Sequence, residues 1–107
     1  MKSLNKVQII GNLGSAPDIR DTKNGKLASF RVATNGTTAE QTDWHNVVVF
    51  NDNLVAIIEE HLEKGNRVYL EGRLRTRQYD DDEGVTKYIT EVVAHQLIML
   101  DGKPATA

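Results

Sequence analysis

Every second residue from Arg73 to Arg77 is an arginine, and Tyr79 follows in the same step. Alternate side chains of an extended strand share a face, so Arg73, Arg75, Arg77 and Tyr79 would stand in one row, about 6–7 Å apart. That approximates the phosphate spacing of an extended single strand. Guanidinium groups pair well with phosphate oxygens and lie flat on bases. Trp44 and Phe50 are six residues apart and share a strand parity. If Val47 and Val49 point into a core, both rings point outward, where large aromatics serve as a stacking platform or a protein interface. Rings beside cations suit sequence-tolerant single-strand binding, with a basic groove following the backbone while bases stack. Two plainer readings stand beside this one. The arginines could form a solvated face paired to carboxylates across strands, and Trp44 could cap the core.

Other chemistry is weaker. Asp80, Asp81, Asp82 and Glu83 are adjacent, and adjacent residues cannot all face one ion as spaced loop ligands do. A solvated hairpin end is the better reading, and it gathers carboxylates away from the arginine row. His45, His61 and His95 have no second ligand at metal spacing. No serine has a nucleophile-elbow context, and no Gly-rich phosphate loop carries a lysine. No catalytic or metal residue is therefore assigned.

The elements that would hold these residues are mostly strands. Val7, Ile9 and Leu13 alternate with polar residues in a strand from about Leu4 to Leu13. "GSAPD" ends it, and Asn24-Gly25 in "TKNGK" is a hairpin signal. A second strand covers Lys26 to about Asn35. A third, Asp43 to Phe50, is rich in aromatic and β-branched residues. The period then changes. Leu54, Ile57, Ile58 and Leu62 make a helical stripe over about Asn53 to Lys64, with Asn51 or Asp52 as cap and Gly65 as stop. A fourth strand runs from Asn66 to Tyr79, and a fifth from about Val85 to Leu100, with "DDDEG" at the tip between them. Three strands, a helix and two strands, all able to pair antiparallel, suggest a small closed barrel plugged by the helix.

A length of 107 residues predicts one domain. Hydrophobic residues at 39% and charged residues at 26% are ordinary for a globular protein. The absence of cysteine excludes disulfides and thiolate metal sites. No signal-like or membrane-spanning apolar run appears, so a soluble cytoplasmic protein is expected. A net charge of −2 argues weakly against nucleic acid as a partner, but the placement of charge matters more than its sum.

Four blocks, "NKVQIIGNLGSAPDIR", "EQTDWHNVVVF", "EKGNRVYLEGRLRTRQY" and "KYITEVVA", together resemble the bacterial and mitochondrial single-stranded DNA-binding proteins, in the same order and spacing from Asn5 to about Leu100. The resemblance implies an all-β OB-fold over residues 1–100, a five-stranded Greek-key β-barrel with one helix between its third and fourth strands. It implies a homotetramer that coats and protects single-stranded DNA in replication, recombination and repair, without catalytic activity or cofactor. Carried over residue by residue, it makes Trp44, Phe50 and Tyr79 stacking residues and Arg75 and Arg77 groove residues. It puts Arg20 and Lys6 near the DNA path. His45 resembles a subunit-interface histidine, and Tyr69 and Glu71 lie on the strand that meets a neighbouring subunit.

Two departures stand out. The connection "NGTTAEQT" is short where many members have a longer loop with a further tryptophan, so fewer stacking contacts are expected. Residues 101–107 would begin a flexible tail, without the acidic tip through which bacterial members recruit replication and repair proteins. Two rival readings remain: a protein-interaction OB module, and a metal-dependent hydrolase using Asp80 to Glu83.

Overall fold

The computed structural model describes residues 2–36 and 40–101. The elements are β1 (Val7–Leu13), β2 (Asp18–Thr22), β3 (Gly25–Asn35), β4 (Thr42–Val49), α1 (Asp52–His61), β5 (Arg67–Asp80) and β6 (Thr86–Met99). They form one sheet in the order β1-β5-β6-β4-β3-β2, and an additional β1–β3 pairing closes five of these strands into a ring. β2 stays outside the ring as a hairpin partner of β3.

The ring corrects the expectation that all neighbours are antiparallel. β4 and β6 run parallel, pairing Val47 with Val92 and Val48 with Val93. The reason is parity. Directions cannot alternate all the way round a closed ring with an odd number of strands, so one neighbouring pair must be parallel. β2 is also additional to the expected set. "DIRDT" has one apolar residue, Ile19, too few for a visible alternation. It forms because the turn at Lys23-Asn24 folds it back onto β3, pairing Thr22 with Gly25.

The first strand is shorter at its start than expected. Before Val7 the ladder passes to a side chain: the Asn5 Oδ1 accepts from the Leu74 N–H at 2.8 Å, and its Nδ2 donates to the Leu74 carbonyl at 2.9 Å. α1 is capped by Asn51, whose side chain accepts from the Leu54 N–H. The helix stops at His61, short of Gly65. Leu62 leaves helical geometry with ψ 133 and turns into the core. Val55 and Ile58 are the buried helix residues and Leu62 is buried just beyond them, while Ile57, expected in the stripe, is 49% exposed. With them, Phe30, Val32, Val47, Val49, Val68 and Leu70 form the core inside the ring. The alternation of apolar residues on each strand supplies that inner surface.

β5 and β6 outrun their neighbours. β1 pairs with β5 only as far as Gly72, yet β5 and β6 continue together to Asp80 and Thr86. The molecule measures 50 × 39 × 38 Å along its principal axes. The radius of gyration is 15.1 Å, against about 13 Å for a compact chain of this length. The register shifts between Glu71 and Gly72, where His95 on β6 has no partner opposite. That bulge lets Val92 and Ala94 face the core on one side of it and Leu97 on the other. Gly72 sits at the bulge because a Cβ there would lie 2.1 Å from the Val93 carbonyl oxygen. No helix among the described residues is long and apolar enough to cross a membrane.

Candidate nucleic-acid interface

The β3–β4 register decides which way the rings point. Phe30 lies opposite Val47 and Ala28 opposite Val49 on the inner face, with both valines fully buried. Arg31 opposite Asn46 and Ala33 opposite Trp44 are therefore outside. Trp44 is 50% exposed and Phe50 45%, so Trp44 does not cap the core. Val48 shares their parity but is buried, beside its parallel partner Val93. His45 lies on the inward parity opposite Val32, half-buried, with Nε2 2.9 Å from the Thr34 Oγ1.

Each ring carries a guanidinium. The Arg31 Cζ stands 4.7 Å from the Trp44 ring centroid, and the Arg75 Cζ stands 5.2 Å from that of Phe50. Such stacks fix a ring's orientation and contribute roughly 0.5–1 kcal/mol at exposed sites. Gly14 shapes the other contact of the indole. A Cβ at position 14 would lie 2.1 Å from the Trp44 Cζ3, so the bare backbone is what lets the ring lie across the end of β1. Arg31 and Gly14 escaped the sequence reading. Arg31 had a signal, since it alternates against Phe30 and Val32 on an outward position one strand from Trp44.

The row on β5 forms as the period of two requires. Arg73 and Arg77 are exposed and Arg75 half-buried, while Tyr79 is 42% exposed. Arg73 has no ion-pair partner among the described residues. Arg75 and Arg77 do have one, and this corrects the expectation that carboxylates gather away from the arginines. Glu91 lies opposite Arg75 in the β5–β6 register and is 3% exposed. Its Oε2 accepts from the Arg75 Nε at 3.1 Å, from the Arg75 Nη2 and from the Arg77 Nε at 3.1 Å. The cross-strand pairing of arginine with acid and the open aromatic surface thus occur together.

The remaining basic candidates are each held in an ion pair. The Arg20 Nε is 3.0 Å from the Asp18 Oδ2 on β2, an exposed pair of little energetic weight. The Lys6 Nζ is 3.6 Å from the Glu71 Oε2. The same oxygen accepts from the Tyr69 hydroxyl at 3.0 Å, and Gln8 donates to Tyr69 at 3.0 Å. The Tyr69 hydrogen bond is the main reason the Glu71 carboxyl is held below the ordinary glutamate range, with the charges of Lys6 and His95 acting in the same direction. Tyr69 and Glu71 stand on the same outward side of β5 as the arginines, but at the end that pairs with β1, with Ile10 and Ile98 exposed beside them.

The acidic tip organises a turn. The Asp81 Oδ1 accepts from the Glu83 and Val85 N–H groups, each at 2.9 Å, and Oδ2 lies 3.2 Å from the Lys87 Nζ. No three His, Asp or Glu among the described residues could hold a metal ion. Tyr88, 67% exposed, was not anticipated. It lies opposite Gln78, on the hairpin face away from the arginines. Of the short connection after Asn35, residues 37–39 lie outside the described residues, as do residues 102–107 of the expected tail.

A small closed β-sheet with outward rings, each under a guanidinium from another strand, defines a class of sequence-tolerant, single-strand binding OB-fold proteins. The single-strand binding protein family model matches residues 4–100. Single-stranded DNA-binding proteins of Rhizobium meliloti and Rickettsia typhi are 43% and 45% identical to the chain. Each alignment covers 94% of this chain, and 66% and 75% of those proteins respectively. A solved Plasmodium falciparum single-stranded DNA-binding protein in complex with single-stranded DNA is 40% identical, with a TM-score of 0.83 over 94% of this chain and 98% of that one. A mitochondrial single-stranded DNA-binding protein from S. cerevisiae, 24% identical, shares the fold with a TM-score of 0.77 over 92% of this chain and 97% of that one. The chain belongs to the single-strand binding protein family.

Proposed function

We propose that this chain binds single-stranded DNA with little sequence preference, coating and protecting it in replication, recombination and repair. It is a binding protein and not an enzyme. Bases stack on Trp44, Phe50 and Tyr79, while Arg73, Arg75 and Arg77 run along the phosphates, with Lys6 and Arg20 near the path. One observation carries the reading: two half-exposed rings on one outer surface each lie under a guanidinium. A buried core has no use for such a surface, and an unpaired base, flat and attached to a phosphate, matches both of its parts. The Plasmodium relative's complex with single-stranded DNA supports the same assignment.

The working unit in this proposal is a homotetramer, with His45, Tyr69 and Glu71 at its interfaces. The exposed Ile10 and Ile98 beside Tyr69 support a contact there. Replication and repair proteins join only through a longer acidic tail, should the full-length protein carry one. Such a protein works in the cytoplasm, on the nucleoid.

The chain has a single tryptophan, so its fluorescence reports on one site. Titration with poly(dT) should quench Trp44 emission, and affinity should fall with salt as counterions are released. A protein-interaction module would show neither effect. A hydrolase would shorten the oligonucleotide in the presence of a divalent ion.

A further inference from the structure

Glu91 is the one buried acidic side chain among the described residues, and it faces the proposed DNA surface. Burying a carboxylate is unfavourable unless it is paired and hydrogen-bonded. Here a single oxygen takes donors from two arginines: the Arg75 Nε at 3.1 Å, the Arg75 Nη2, and the Arg77 Nε at 3.1 Å. A guanidinium has five N–H donors. Arg75 spends two of its groups on Glu91 and Arg77 one, so both keep donors directed elsewhere. Arg75 is held through Nε and Nη2, with its Cζ over the Phe50 ring, 5.2 Å from the centroid.

We infer that Glu91 is a positioning residue of the DNA-binding surface, anchoring Arg75 over Phe50 and Arg77 beside it before a strand arrives. The inference rests on the proposed single-stranded DNA reading and deepens it. Two like charges one strand step apart repel, and long side chains lose rotamer freedom when a ligand orders them. A buried anion between them removes both obstacles in advance. The arrangement makes an unusual electrostatic demand. Glu91 cancels one of the three positive charges of Arg73, Arg75 and Arg77, so the anchor lowers the positive charge of the surface it prepares. Charge alone therefore predicts the opposite of positioning when Glu91 is neutralised.

The test titrates labelled oligo(dT) into the parent, Glu91→Gln, Arg75→Ala/Arg77→Ala and the triple variant, across a salt series, with thermal melting alongside. Positioning predicts that Glu91→Gln binds about five- to tenfold more weakly, with a salt slope no smaller than the parent's. In the Arg75→Ala/Arg77→Ala background the same change should weaken binding no further. Equal or tighter binding by Glu91→Gln would show that the carboxylate only subtracts charge, and the inference would fail. An equal loss in the double-alanine background would make Glu91 a general structural residue, with the same consequence. Should Glu91→Gln not fold, Arg75→Lys decides. It keeps the charge but loses the planar guanidinium held through Nε and Nη2, so parent-like affinity overturns the inference and a loss at unchanged slope supports it. A parent that does not bind oligo(dT) overturns the functional reading itself, whereas a binding parent with an indifferent Glu91→Gln overturns this inference alone.

Discussion

Trp44 combines two properties that rarely coincide in an indole: it is half-exposed, and it is held, by Arg31 over its face and the bare backbone of Gly14 against its ring. A held ring loses little freedom when a base stacks on it. Trp44→Ala should therefore leave the melting temperature nearly unchanged and weaken oligo(dT) binding by about 1–3 kcal/mol, the range found for base–aromatic stacking in single-strand binding proteins. Because the variant has no tryptophan, anisotropy of a labelled oligonucleotide is the readout, and unchanged affinity would remove Trp44 from the stacking path. The arginines act differently, through phosphates and released counterions. Replacing Arg75 and Arg77 together by alanine should flatten the dependence of log K on log salt by roughly 1 to 2 units. A slope equal to the parent's would take both residues off the backbone path.

The β5–β6 hairpin is the element on which the arginine row depends, and it projects beyond the closed sheet with little support but its own ladder. Its two ends are secured by different means. At the base, Gly72 meets the Val93 carbonyl so closely that no side chain fits. The obstacle is backbone of the neighbouring strand and cannot swing away, so Gly72→Ala should lower stability by about 1–3 kcal/mol in urea unfolding. At the tip, the Val85 N–H, then the Lys87 ammonium and the Glu83 N–H, hold the Asp81 carboxyl below the ordinary aspartate range. A depressed carboxyl contributes its stability in full above its unfolded value and loses it as pH falls through the folded one. The tip should therefore stay closed at neutral pH and loosen only on the acid side of about pH 4. The protection of the Glu83 and Val85 amides relative to their intrinsic exchange rates measures this; Asp81→Asn should make that protection independent of pH, and parent protection unchanged across about pH 4 would count against it.

At the scale of the whole molecule, Ile10, Tyr69, Glu71 and Ile98 gather where β5 pairs with β1, and we propose that another subunit meets them there. Native mass spectrometry should give four subunits, and the same tetramer with oligo(dT) bound. A monomer at micromolar concentration would leave those residues without an interface role. Much of this architecture was legible beforehand. The period of two in "GRLRTRQY" and in "DWHNVVVF" fixes which side chains share a face, because backbone geometry alone decides it. The helix and its Asn51 cap follow from equally local rules. β2 was not legible, since its residues carry no hydrophobic rhythm and it exists by pairing with β3. The parallel β4–β6 contact was latent in the strand count: a closed ring of five demands it, though no local pattern marks it. Glu91 was hidden for a related reason. On its own strand it is an ordinary acid in "TEVVA", and its burial between two arginines depends on a register that a bulge some four residues away resets. The chain's own chemistry thus determined the alternating faces, the rings and cations upon them, and the elements that carry them, since these depend on bonds and dihedrals close in sequence. Only the tertiary structure decided which acid meets which arginine and which ring lies under which guanidinium, because those contacts join residues that sequence separates and only strand pairing brings together.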